Sequence, residues 1–174
     1  MTITNQQLRD AFLSPQLKHY FEKKLSRLSC AEVRIRVEEA LKFLNIAVYC
    51  HGNIPVSKEI DEIWHYWILE TKEYQKLCSA LQGRKFLDHS SNDYLEYFDK
   101  DIERRNDLTR DVAMLATYVL NYGPFEKKRV KYWPLAAHLV EKSGLSVRQL
   151  NRWLTFGPPW ASEWFLATST NVNA

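Results

Sequence analysis

The sequence predicts an all-α fold, a single domain built as a multi-helix bundle of about seven to nine helices, and three observations carry that prediction. Gly (5) and Pro (6) are scarce, so the chain lacks the turn residues that a many-stranded fold needs. Apolar residues recur at spacings of three and four, most clearly Val33, Val37, Leu41, Leu44 and Val48. A hydrophobic share of 45% with 13% aromatics, in 174 residues, is enough to fill one core. Residues 1–174 are therefore read as one domain without an internal repeat or a linker.

Taken in order, helices are expected near residues 5 to 13 and 15 to 28, then a longer one from about Ala31 to Cys50. His51-Gly52-Asn53-Ile54-Pro55 breaks the pattern. Ser57 is the expected N-cap of the next helix, whose first turn carries Glu59 and Asp61 where the helix dipole favours negative charge. That helix is expected to lie centrally with Trp64, Trp67 and Ile68 buried, and Gly83 ends it. Asp88 to Asp93 reads as a polar loop, followed by helices from about Asp93 to Arg105 and Leu108 to Asn121, stopped by Tyr122-Gly123-Pro124. A basic connector, Lys127-Lys128-Arg129-Val130-Lys131, leads into a helix from Pro134 to Ser143, a break at Gly144, and a helix from Ser146 to about Phe156. Gly157-Pro158-Pro159 terminates it, and a short amphipathic piece with Trp160, Trp164 and Phe165 is expected to pack back onto the body.

Composition narrows the class. No apolar run approaches the roughly 20 residues that span a bilayer, and the N-terminal residues lack a basic region followed by an apolar one. Cys30, Cys50 and Cys78 show no C-x-x-C pairing, so a reducing cytoplasm is the expected compartment and each is read as a small buried apolar residue. No glycine-rich phosphate loop and no H-E-x-x-H is present, which leans against an enzyme.

Charge is unevenly placed. Residues 1–126 hold 17 Lys/Arg and 19 Asp/Glu, whereas residues 127–156 hold seven basic residues and only Glu141. Within that basic α-hairpin, residues 134–156 have the outline of a helix-turn-helix: a turn Gly144, then Leu-Ser and an amphipathic helix with Leu150 and Leu154 inward. Its outward residues are Arg148, Gln149 and Arg152, and Lys127, Lys128, Arg129 and Lys131 lie where phosphate contacts would be made. A solvated basic face on an ordinary α-hairpin accounts for the same residues.

The other constellation is on the helix that begins near Ser57. Asp61 and His65 stand four apart, on one helix face, so the carboxylate can orient the imidazole through one ring nitrogen and leave the other for a metal or a proton. A divalent ion such as zinc needs more ligands, and the candidates are His89 and Cys78. On one unbroken helix Cys78 lies about 20 Å along the axis from His65, so a shared ion requires a bend, for which Thr71 as a fresh N-cap after Glu70 is the candidate. The competing reading is a buried His beside a core Trp, hydrogen-bonded to its helical neighbour.

The run from Glu39 to Ser91 also resembles the helical domain of glycine-rich domain-containing proteins and their small bacterial relatives. The matching positions are Pro55, Ile60, Asp61, Trp64, His65, Thr71, Tyr74, Cys78, Gly83, Asp88 and His89, with Trp67 where that family usually has a second His. The resemblance implies an all-helical fold and a polar site, without supplying a reaction. Three functional expectations follow: a non-catalytic intracellular helical module that binds another macromolecule, most simply a protein; a DNA-binding regulator using residues 134–156; and a metal-binding protein or metal-dependent enzyme built on His65 and His89.

Overall fold

The computed structural model describes residues 2–50, 54–81, 83, 86–89 and 108–157, and these form nine α-helices and no strands among them. The helices are α1 (Asn5–Phe12), α2 (Pro15–Lys24), α3 (Cys30–Ala47), α4 (Lys58–Leu69), α5 (Thr71–Ala80), α6 (Leu108–Tyr122), α7 (Lys127–Val130), α8 (Pro134–Glu141) and α9 (Val147–Phe156). The expected helix at 93–105 and the piece carrying Trp160, Trp164 and Phe165 lie outside the described residues.

Short polar side chains set where most of these helices begin. Ser14, Ser29 and Ser57 each accept a hydrogen bond from the backbone N–H three residues on, satisfying a donor that the first helical turn leaves free. Thr4 with Gln7 and Ser146 with Gln149 go further and form reciprocal capping boxes. At the other ends, Gly123 and Gly144 adopt φ of +84° and +72°, a left-handed conformation that a side chain disfavours, and the chain leaves α6 and α8 there.

α3 is the hub. It packs on α1, α2, α4 and α6, most extensively on α4, while α9 seals the far side against α6 and α8. Because neighbours surround it, α3 buries more than one stripe: Val33, Val37, Leu41, Leu44 and Val48 are covered as expected, and so are Ala40, Phe43, Ile46 and Ala47. Each fully buried Leu, Ile or Phe here stabilises the fold by about 1.5–3 kcal/mol relative to leaving it in water. On α4, Trp64 and Trp67 are buried and Ile68 half-buried, with Trp67 edge-on to Phe21 of α2 and Trp64 tilted against Phe43 of α3.

The same enclosure traps charge. Glu38, Glu39 and Lys42 of α3 are buried, and they are neutralised from across the bundle. Arg129 donates from Nη1 to Glu39 Oε1 (2.6 Å) and from Nη2 to Glu38 Oε2 (2.7 Å), while Trp133 Nε1 donates to Glu39 Oε2 (2.9 Å). Lys42 Nζ donates to Glu39 Oε1 (2.8 Å) and to the Tyr118 hydroxyl (3.0 Å), and Arg9 of α1 pairs with Glu38. Burial lowers the Lys42 ammonium from its ordinary value. Burial also opposes the charge of Arg129, but its bonds to the two glutamates outweigh that and raise it.

The structure departs from the sequence expectations at several points. The basic connector contains a short helix, α7, and its Arg129 is buried in the ion cluster, so it is not placed for phosphate contact. Lys131, though exposed, is paired with Glu32 (3.1 Å). The helix beginning at Lys58 stops at Leu69, and Glu70, not Thr71, is the cap residue of α5, without a side-chain capping bond. Of the cysteines only Cys78 is fully buried; Cys50 is partly so, and Cys30 is exposed at the start of α3.

Candidate metal centre

α4 turns two faces to two environments. Its inner residues Ile60, Ile63, Trp64 and Trp67 meet the core, which leaves Asp61 and His65 together on the outer side, four residues and just over one turn apart. His65 is 52% exposed and Asp61 34%, so the face is open to water. The expected carboxylate-to-imidazole bond within this pair is replaced by a different arrangement. His65 Nδ1 lies 2.8 Å from the Asp61 backbone carbonyl and 3.4 Å from Asp61 Oδ2. A carbonyl only accepts, so Nδ1 carries the proton and the neutral ring keeps its Nε2 lone pair free.

The Asp61 carboxylate is engaged elsewhere. Its Oδ1 accepts a hydrogen bond from Nε2 of His89, at 2.8 Å, from a segment that returns past α5 to the outer face of α4. The His65 and His89 rings lie 4.3 Å apart between centroids, inclined at 64°. One ligand atom from each of Asp61, His65 and His89 falls within 4.8 Å of the others, the one grouping of three such side chains among the described residues.

How His89 reaches this point is built into neighbouring residues. The break at Glu70 lets α5 fold back along α4 and brings Tyr74 beside Trp64. Trp64 Nε1 donates to the Tyr74 hydroxyl (2.9 Å), which in turn donates to the Leu87 carbonyl (2.5 Å), two residues before His89. The His89 ring stands edge-on to Trp64, 4.5 Å between centroids, and Phe86 stands edge-on to Tyr74. Burial pushes the Tyr74 phenol well above its ordinary value, which keeps it protonated and therefore a donor.

Cys78 does not join the trio. It is buried on α5 among core residues, on the inner side of the bend that was expected to bring it near His65. Trp67, at the position where a second His was anticipated, is fully buried against Phe21, so its identity does not remove a ligand from the outer face of α4. The buried Glu38, Glu39, Lys42 and Arg129 cluster was not anticipated from the sequence, although Glu38, Glu39 and Lys42 inside an apolar run are a visible signal of it.

At the basic hairpin, Arg148, Gln149 and Arg152 are exposed on α9, Leu150 is buried and Leu154 partly so. Lys127 and Lys128 are exposed, the latter paired with Glu126 (2.9 Å). Asn151 fixes α9 to the body through both the N–H and the carbonyl of Phe125.

These features define an all-α protein with a His/His/Asp cluster on the outer face of a central helix. The chain belongs to the UCP032817-like family, whose model matches residues 4–131. That span takes in α1 to α7, the trio and the charged members of the buried cluster, and it extends well beyond residues 39–91. No curated protein and no solved structure matches the chain. Among the described residues no helix is long and apolar enough to cross a membrane.

Proposed function

We propose that this protein binds a divalent transition-metal ion, zinc in the first instance, through Asp61, His65 and His89. The observation that supports it is the convergence of three ligand atoms within 4.8 Å from a helix and a segment more than twenty residues further on. Ligands of a tetrahedral zinc at about 2.0–2.1 Å stand roughly 3.3 Å apart, so Asp61 Oδ1 and His89 Nε2 need only separate slightly. The half-exposed His65 side chain has room to close the remaining gap by a small shift that keeps its Nδ1–H bond. Its Nδ1–H on a backbone carbonyl is the outer contact that ligating histidines use to present Nε2. A cation between Asp61 and His89 takes the place of the proton on Nε2, which the neutral ring moves to Nδ1. Two imidazoles and a carboxylate suit zinc and equally ferrous iron, and are a poor set for calcium or magnesium.

Elemental analysis of protein purified without an affinity tag, together with zinc titration against a chromophoric chelator, tests the assignment. One bound metal per chain, lost in His65→Ala and His89→Ala, is the expected result. Protein that carries no stoichiometric metal and does not compete with a micromolar chelator overturns it, and leaves Asp61 and His89 as a hydrogen-bonded clasp.

We infer that the likeness to the helical domain of glycine-rich domain-containing proteins concerns this same site, since Asp61, Trp64, His65, Tyr74 and His89 from that motif lie in one cluster. A second reading is a macromolecule-binding module, with duplex DNA as the occupant of α9; the exposure of Arg148, Gln149 and Arg152 supports it. Salt-dependent duplex binding that is lost in Arg148→Ala with Arg152→Ala is the expected result there, and binding that survives both changes removes α9 as the recognition helix.

A further inference from the structure

We propose that Trp64 and Tyr74 are positioning residues for this cation site, a hydrogen-bond relay that holds the His89 segment against α4 and so sets the metal affinity from a hydroxyl that touches no ligand. The inference rests on the metal-binding reading above and concerns what places its third ligand.

Asp61 and His65 are carried by a helix whose inner face is locked into the core, so their spacing is fixed by α4 itself. His89 has no such support. It comes from outside any helix among the described residues, from a segment in which Phe86 and Asp88 are exposed, Leu87 is partly buried against the core and the His89 side chain is 13% exposed. Among the contacts that hold the segment, three bear on the ring. The Tyr74 hydroxyl bonds the Leu87 carbonyl at 2.5 Å, the Trp64 ring meets the His89 ring, and Asp61 bonds His89. A metal would consume the third contact by coordinating both partners. The first two remain to keep the imidazole aimed.

Chain direction makes the hydroxyl effective. Leu87 is two residues from His89, so losing its anchor loosens the stretch of backbone that carries the ring. The hydroxyl is itself oriented, because Trp64 Nε1 donates to it at 2.9 Å and leaves its own proton pointing at the carbonyl. Tyr74→Phe removes both links while keeping the ring and its edge-on contact with Phe86. Ligand-supporting partners of this kind change metal affinity by about 10–100-fold when removed.

The test measures zinc affinity by chelator competition for the wild type, Tyr74→Phe and His89→Ala, with cobalt substituted for zinc to read the visible spectrum of the bound ion. The expected result is zinc affinity weakened about tenfold or more in Tyr74→Phe, with a cobalt spectrum moved towards that of His89→Ala. Thermal midpoints of the metal-free proteins separate this from general loosening: a purely structural Tyr74 lowers the midpoint and leaves the affinity of the folded protein and the cobalt spectrum unchanged, and that outcome overturns the proposal. Should Tyr74→Phe not fold, Trp64→Phe, which removes only the donor to the hydroxyl and trims the ring, takes its place under the same criteria. A wild type that binds neither ion refutes the site itself, whereas a wild type that binds while Tyr74→Phe is unaltered refutes the relay alone.

Discussion

Replacing Arg129 by Met tests whether the buried charges of α3 hold the bundle together. The guanidinium is 6% exposed and makes two short bonds, to Glu38 and Glu39, whose side chains are 2% and 0% exposed. Removing one partner from a buried ion pair costs about 3–5 kcal/mol, because the charge left behind has lost its water and its counter-ion. Here the loss falls towards the lower end, since Glu39 keeps Lys42 and Trp133, and Glu38 keeps Arg9. Against a whole-domain stability of roughly 5–15 kcal/mol that is a large fraction, and it corresponds to a melting midpoint lower by about 6–12 °C for a chain of this size. Urea and thermal unfolding of Arg129→Met, Glu39→Gln and the double variant form the assay. The double variant is expected to be more stable than the sum of the single losses, because Glu39→Gln removes part of the charge that Arg129→Met strands. An Arg129→Met midpoint within about 1 °C of the wild type refutes the argument.

Trp64→Ala is expected to destabilise by about 3–5 kcal/mol, since the ring fills the space between Phe43 and His89; an unchanged urea midpoint in a cooperatively unfolding variant rejects its core placement. Ser57→Ala removes the oxygen that receives the Ile60 N–H and is expected to cost about 1 kcal/mol by the same measurement, and a Ser57→Asp variant should recover it. Alkali should unfold the protein. Burial raises Tyr74 and Tyr118, and raises Tyr122 to about 12, so the stability these phenols contribute is complete below the ordinary value of 10.0 and is lost as pH rises through their folded values. Lys42 acts in the opposite sense: burial lowers it, so the unfolded chain holds the proton longer and stability rises with pH between its folded value and 10.5. Burial raises Tyr20 and Tyr132 as well, so the phenols outweigh the one ammonium: the urea midpoint should fall above pH 10 while tyrosinate absorbance in the native state lags that of the unfolded chain, and coincident titrations would contradict the burial.

Much of the fold was legible because helix boundaries and core faces are written locally. Ser14, Ser29, Ser57 and Ser146 sit where a short oxygen can reach a free N–H three residues on, and Gly123 and Gly144 sit where the chain must take a positive φ. The trio was legible in part: Asp61 and His65 follow from helical geometry and His89 from the motif, yet the choice of hydrogen-bond partners did not follow. Both the Asp61 carbonyl and its carboxylate compete for His65, and only three-dimensional proximity shows that His89 takes the carboxylate. The buried cluster was the least legible. Its acids lie on α3 and its arginine 90 or more residues later, and a basic run such as Lys127 to Lys131 has the same look whether its members face water or, as Arg129 does, two glutamates.

The two polar clusters differ in what they ask of the fold. The one around Glu39 is closed: each charge has its partner inside the protein, and bonds from α1, α3, α6 and α7 cross there. The one around Asp61 is left open on the outer face of α4, with a free Nε2 on His65 and an imidazole held by a hydroxyl and a ring edge. Charge that only stabilised could have been placed in the first kind of setting throughout. On the proposed reading the helix supplies two ligand atoms and the anchored segment a third, and Trp64 and Tyr74, which stand between the core and His89, hold that third in place.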